Sequence, residues 1–339
     1  MGAGELSDGE VNDPGAVRGG RTRRGRRSDA RSRVDLAVRV GSLTLANPVM
    51  TASGTAGHGD ELEAYAPLSE LGAMVVKSLS VAPWPGNPAP RVHQAGAGML
   101  NSVGLQGPGL EAWIRDDLPR LLAVGARTVV SIWGQRVDDY AQAAAILSGV
   151  DGLTAIEVNV SCPNLEDRRH MFAHSPESTA AVMTAVSAGC PGIPLWAKLS
   201  PTVSDIAEVA GAALDGGAEA VTLINTALGM AIDIEQRAPQ LGSGRAGGGL
   251  SGPSIHPIAV RAVFDVRAHH PDATIIGVGG VMSGADAIEL VMAGADAVQV
   301  GTATFRDPRA PWRVLDEMAR WCVDHGVGSV RELQGVAHG

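Results

Sequence analysis

Short apolar runs, each followed by a segment of helical period, recur eight times between residues 49 and 300 of the chain. The runs fall at 49–52, 73–76, 128–132, 155–158, 195–199, 220–224, 274–278 and 297–300. Apolar and polar residues do not alternate within them. A strand with one wet face alternates; a strand buried on both faces does not. The segments at 60–71, 110–124, 137–148, 176–188, 203–215, 254–268, 283–293 and 311–324 carry the helical spacing instead. Eight doubly buried strands alternating with helices predict an α/β chain folded as a parallel (β/α)8 TIM barrel. The other architecture open to such a chain is a doubly wound sheet. No Gly-x-Gly-x-x-Gly follows the first strand to support that alternative.

A short β-hairpin is expected before the barrel, from 36–40 and 43–45 around a turn at Gly41-Ser42. Two connections, 79–108 after strand two and 227–253 after strand six, are far longer than the others. Long loops inside a compact domain are usually functional. The barrel domain is expected to span 34–335. Ahead of it, residues 1–33 hold eight Arg against five acids and almost no apolar side chains. Such a tail cannot bury enough surface to fold and is expected to be disordered. The whole chain carries a net charge of −9, so the body outside this basic tail is strongly acidic. An acidic body argues against nucleic acid as main partner. The three cysteines, Cys162, Cys190 and Cys322, fit neither a zinc spacing nor a disulfide framework. A reduced, cytoplasmic setting without a metal follows. No run reaches the ~18 apolar residues of a membrane span, and the tail has no apolar stretch of the signal-peptide kind.

Ligands of barrels gather at the carboxyl ends of the strands. Drawn as a barrel, the chain puts Lys77 after strand two, Asn159 after strand four, Lys198 at strand five and Asn225 after strand six. A lysine ending an otherwise apolar strand needs a partner, because burying it alone is costly. That partner is either a structural carboxylate or an electron-rich ligand. Strands seven and eight end in Gly279-Gly280 and Gly301-Thr302. Side-chain-free turns there let backbone N–H groups reach a phosphate. A cation such as Lys198 suits the N1–C2 edge of a flavin, where reduction places negative charge. In Asn159-Val160-Ser161-Cys162-Pro163-Asn164, a thiol lies among amides just past a strand. A cysteine of ordinary pKa ~8.5 becomes a general base where its thiolate is favoured. The bland alternative for Cys162 is a small buried hydrophobe.

Further motifs complete a pattern. They are Asn47-Pro48 through Ala52-Ser53-Gly54, Val76-Lys77-Ser78, Gly86-Asn87-Pro88-Ala89-Pro90-Arg91, and 99–106. Beyond them come Asn159 to Asn164, Ala197-Lys198-Leu199-Ser200-Pro201, Ile224-Asn225-Thr226, Gly248-Gly249-Leu250-Ser251-Gly252-Pro253, 277–280 and Val300-Gly301-Thr302. In this order they resemble the class 1 dihydroorotate dehydrogenases, FMN-containing (β/α)8 barrels of pyrimidine (UMP) biosynthesis. The resemblance implies oxidation of (S)-dihydroorotate to orotate, with Cys162 removing the C5 proton and hydride passing from C6 to FMN. It implies substrate contacts at Lys77, Asn101, Ser102, Val103, Gly104, Leu105, Asn159, Asn164, Asn225 and Thr226. It implies FMN contacts at Ala52, Ser53, Lys77, Ser78, Ser131, Asn159, Lys198, Ile224, Gly252, Gly279, Gly280, Gly301 and Thr302. Residues 99–106, with Gln106 where subclass 1A usually has Pro, and 250–253 look like subclass 1B. That subclass implies a homodimeric core joined by an FAD and 2Fe–2S subunit in a heterotetramer, with NAD as final acceptor and fumarate as the alternative. Dihydropyrimidine dehydrogenases, which act on uracil or thymine, share the barrel, FMN and a similarly placed Cys, and are the alternative. The chain departs from subclass 1B at Ser131, often Asn there, at Gly107, and at Glu166-Asp167-Arg168-Arg169-His170 in place of a glycine-rich run.

Overall fold

A computed structural model of the chain describes residues 30–161 and 172–339. Residues 1–29, which make up most of the basic tail, and 162–171 lie outside the described residues. The eight expected strands are Val49–Thr51, Met74–Val75, Thr128–Ile132, Leu153–Asn159, Leu195–Lys198, Ala220–Leu223, Ile275–Val278 and Ala297–Val300. They form one parallel sheet in which each lies beside the next and the eighth beside the first. A bridge from Met50 to Ala73 joins strand one to strand two and closes the ring. The fold is the predicted (β/α)8 barrel, preceded by the predicted hairpin Val38–Val40 and Leu43–Leu45.

Strands two, three and five to eight are buried at every residue, which is why they do not alternate. Helices Val137–Leu147, Pro176–Gly189, Ile206–Asp215, His256–His269, Gly284–Met292 and Ala310–Asp324 cover the outside. Three of their starts are capped by Ser or Asp side chains. Ser175 accepts from the Ser178 N–H, Asp205 from the N–H groups of Ala207 and Glu208, and Ser283 shares a capping box with Asp286. Two segments differ from expectation, each at a proline. Residues 60–71 form two short 3-10 turns, Glu61–Ala64 and Leu68–Glu70, on either side of Pro67. The helix expected over 110–124 is broken into Leu110–Asp116 and Leu118–Ala123, with Pro119 in the first turn of the second. Proline has no N–H to continue a helix and clashes with the preceding turn.

The two long connections are not irregular. Val92–Ala95 and Gly98–Asn101 from the first pair with Gly248–Ser251 and Ala227–Gly229 from the second, as a four-stranded antiparallel sheet. This sheet roofs the carboxyl-terminal rim. Its register puts Asn101 opposite Gly249 and Leu250 opposite Ala227. At the other end, Asp35 bridges to Ser329, and Arg31 reaches the buried Asp316 at 2.7 Å. Residues 31–35 are thereby tied to the carboxyl-terminal segment of the barrel.

Candidate active site

Between the rim and the roof lies a cavity of ≈ 280 Å³. Its wall takes residues from every part of the predicted set that the structure describes. Ala52, Ser53, Lys77, Ser78, Asn101, Val103, Gly104, Leu105, Asn159, Lys198, Ile224, Asn225, Thr226, Gly252, Gly279, Gly280, Gly301 and Thr302 all line it. Convergence follows from the fold, because parallel strands bring all their carboxyl ends to one face. Cys162 and Asn164 lie outside the described residues, as does the charged run 166–170. Their neighbour Ser161 lines the cavity, and its buried hydroxyl has no hydrogen-bond partner. Two predicted residues are not brought to the wall. Ser131 is fully buried beneath Ser78, and Ser102 is buried with its hydroxyl unbonded.

One hydrogen-bonded set crosses the floor. Ser78 Oγ lies 3.1 Å from Ser53 Oγ and 2.9 Å from Ser131 Oγ. Asn159 Nδ2 donates to Ser78 Oγ at 3.3 Å, and Asn225 Nδ2 donates to Asn159 Oδ1 at 3.2 Å. Residues from five strand ends are thus fixed relative to one another. The Asn159 carbonyl also accepts from the buried Tyr140 hydroxyl at 2.8 Å, which pins the end of strand four.

The two lysines have different surroundings. Lys77 donates to the Gln106 carbonyl at 2.5 Å. Burial, and next the Arg91 guanidinium, bring its ammonium down to about 8. That group gains most from an anion, which would oppose both effects. Lys198 is 5% exposed and lies 3.4 Å from Gln299 Oε1 and 3.8 Å from Glu157 Oε1. Glu157 is fully buried on strand four. Its Oε2 accepts from Gln299 Nε2 at 2.7 Å and from Thr222 Oγ1 at 3.3 Å. Its Oε1 has no hydrogen-bond partner. Lys198 therefore has a structural carboxylate and also lines the cavity. Sequence reading overlooked Glu157 and Gln299. The available signal was a charge and an amide inside strands with no other reason to hold them.

At the far end, the cavity is walled by backbone. Among the described residues, the N–H groups of Gly279, Gly280, Gly301 and Thr302 find no protein acceptor. Gly280 has φ +66°, and a Cβ there would stand 2.6 Å from the His256 Cβ and 2.9 Å from the Gly252 carbonyl oxygen. Only glycine fits, and it leaves the amides open to a ligand. Unpaired backbone donors around a concavity are an anion site. The remaining described thiols play no such part. Cys190 and Cys322 are buried away from the cavity, and burial raises both, Cys190 to about 11.

A family model described as "Dihydroorotate dehydrogenase" matches residues 35–321. The chain belongs to the dihydroorotate dehydrogenase family. A relative from Desulforudis audaxviator, named "Dihydroorotate dehydrogenase B (NAD(+)), catalytic subunit", is 46% identical over 306 residues, covering 90% of this chain and 98% of the relative. Relatives of the same name from Citrifermentans bemidjiense and Geobacter metallireducens are 45% and 44% identical over 303 residues, each covering 89% of this chain and 98% of the relative. The likeness to subclass 1B read from residues 99–106 and 250–253 is borne out. In dihydroorotate dehydrogenase terms, the rim, the roof sheet and the glycine turns now form one pocket at the expected end of the barrel. Among the described residues, no helix is long and apolar enough to cross a membrane.

Proposed function

We propose that the chain oxidises (S)-dihydroorotate to orotate in pyrimidine biosynthesis, with FMN bound in the rim cavity. The observation that carries this reading is the convergence on one cavity of two lysines, three asparagines and four unpaired backbone N–H groups. The donor set fits FMN. The amides of Gly279, Gly280, Gly301 and Thr302 would hold the phosphate. Lys198 would serve the electron-rich edge of the ring, and Ala52, Ser53, Ser78, Ile224 and Gly252 would line it. When bound, FMN supplies the two-electron acceptor for the hydride that leaves C6 of the substrate.

The chain's own residues do the rest. Asn101, Val103, Gly104 and Leu105 of the roof, with Asn159, Asn225 and Thr226 of the rim, would orient the planar pyrimidine by hydrogen bonds and cover it from water. Ser102 and Asn164 belong to the same proposed cradle. Lys77 would meet the negative charge of the substrate. Cys162, as thiolate, would remove the C5 proton. The C5–H pair then forms the new double bond as the C6 hydride departs, so one proton and one hydride leave and orotate remains. Ser131 contributes through Ser78, which it supports from below.

NAD as final acceptor is supported by the names of the relatives, which are also called catalytic subunits. The partner that the name implies would carry FAD and a 2Fe–2S cluster and join a homodimer of this chain. We assign the enzyme to the cytoplasm and the catalytic domain to 34–335; the expected boundary of the tail at residue 33 is corrected, because Ala30 is buried and Arg31 pairs with Asp316 on the last helix.

The test is anaerobic stopped-flow reduction of the purified flavoprotein. Dihydroorotate should bleach the flavin band, and dihydrouracil should not. Cys162→Ser should slow the bleaching by about a hundredfold or more, the size of a general-base effect, while FMN stays bound. Bleaching by dihydrouracil alone, or an undiminished rate in the variant, would sink the assignment.

A further inference from the structure

His256 opens the helix His256–His269, which packs beneath the turn Gly279-Gly280. Its Nδ1 lies 2.8 Å from the Gly279 carbonyl oxygen. Its Nε2 lies 3.1 Å from Glu289 Oε2 and 4.0 Å from Asp286 Oδ1. A carbonyl and two carboxylates only accept hydrogen bonds. Assigning the proton from the nearer partner, Nδ1 donates to the Gly279 carbonyl. The bland reading is a surface ion pair with Glu289, whose side chain is 58% exposed, and such pairs contribute little. Yet the His256 side chain is only 12% exposed, and its shorter contact is to the cavity wall, not to the carboxylate.

The Gly279–Gly280 peptide is planar, so its carbonyl and its N–H point in opposite directions. Holding the Gly279 carbonyl against His256 sends the Gly280 N–H away from the helix, on the side where both glycines line the cavity. That N–H finds no protein acceptor among the described residues. Neither glycine has a side chain to resist a peptide flip, with φ of +138° and +66°. Something outside the turn must choose its orientation.

We infer that His256 is a positioning residue for a phosphate monoester: it locks the Gly279–Gly280 peptide with its N–H presented to the phosphate. This rests on the reading of the cavity as a phosphorylated-flavin site. His256 moves no proton and touches no reacting atom. Its effect is confined to the phosphate, so it separates FMN from riboflavin, which has the same ring and no phosphate.

The experiment uses the full chain stripped of flavin, titrated with FMN and with riboflavin by fluorescence quenching. His256→Ala should weaken FMN about tenfold or more, the size of a lost hydrogen bond that leaves its partner unmet, and riboflavin by less than about twofold. His256→Asn places an amide nitrogen where Nδ1 stands, keeps the bond to Gly279, and should bind FMN within about threefold of wild type. Retained riboflavin binding reports that each variant is folded. The inference is overturned if His256→Ala binds FMN normally, if it weakens both flavins equally, or if His256→Asn is as weak as His256→Ala. A wild-type chain that binds neither flavin would instead overturn the reading of the cavity itself.

Discussion

Lys77 gives the sharpest quantitative handle on the site. Its ammonium is brought down to about 8 by burial and by the Arg91 guanidinium, and it stands at a cavity proposed to take an anionic product. Orotate should bind the protonated form. The sign then follows from linkage: the ligand raises the Lys77 pKa, binding takes up a proton, and affinity is full well below the free-protein value and falls above it. With a free pKa of about 8, about a tenth of the protein is competent at about pH 9, so affinity drops about tenfold between about pH 7 and about pH 9. The assay is titration of the flavoprotein with orotate, followed by the shift in the flavin spectrum, at closely spaced pH values. Calorimetry in buffers of different ionisation enthalpy adds a second reading, with about half a proton taken up per orotate near about pH 8. The Cys162→Ser background removes the thiol as a competing titration. Lys77→Gln should bind weakly and lose the slope. A flat affinity across this range, or a slope that survives in Lys77→Gln, refutes both the pKa and the role.

Three further outcomes test the surrounding architecture. Glu157→Gln leaves Lys198 buried without its counter-charge, and urea melts should show a loss of about 3–5 kcal/mol that the added change Lys198→Gln partly restores; full additivity of the two would mean they do not interact. Gly280→Ala forces a Cβ to within 2.6 Å of the His256 Cβ, and the purified protein should come out largely colourless yet folded by circular dichroism; normal FMN content would show that the turn is not the phosphate cradle. Trp113→Ala removes a fully buried ring whose Nε1 donates to the His58 carbonyl at 2.8 Å, and should cost about 3–5 kcal/mol by chemical melting with little change in orotate affinity.

Much of the molecule was legible from its sequence. The eight strands could be located because burial on both faces forbids alternation, a property each run carries locally. The rim followed at once, since parallel strands share a carboxyl end, and eighteen predicted residues do line one cavity. The failures were also physical. Residues 60–71 have helical spacing, but Pro67 lacks the N–H to sustain a helix. Ser131 matched a flavin position by alignment of motifs. Its short side chain reaches only Ser78 and stays below the floor.

The sequence by itself determined the period, the polar strand ends and the glycine turns, because each is set by residues adjacent in the chain. Tertiary structure alone decided what meets across the barrel. Glu157, Thr222 and Gln299 come from strands four, six and eight, and no spacing along the chain says that their side chains share one interior layer. The two long loops read as irregular until each supplied strands to the other's sheet, since an edge has no partner until the fold provides one. Nothing in the sequence singled out His256 within the helix expected over 254–268. It becomes the support of a phosphate turn only because barrel closure sets the seventh strand's end directly on that helix.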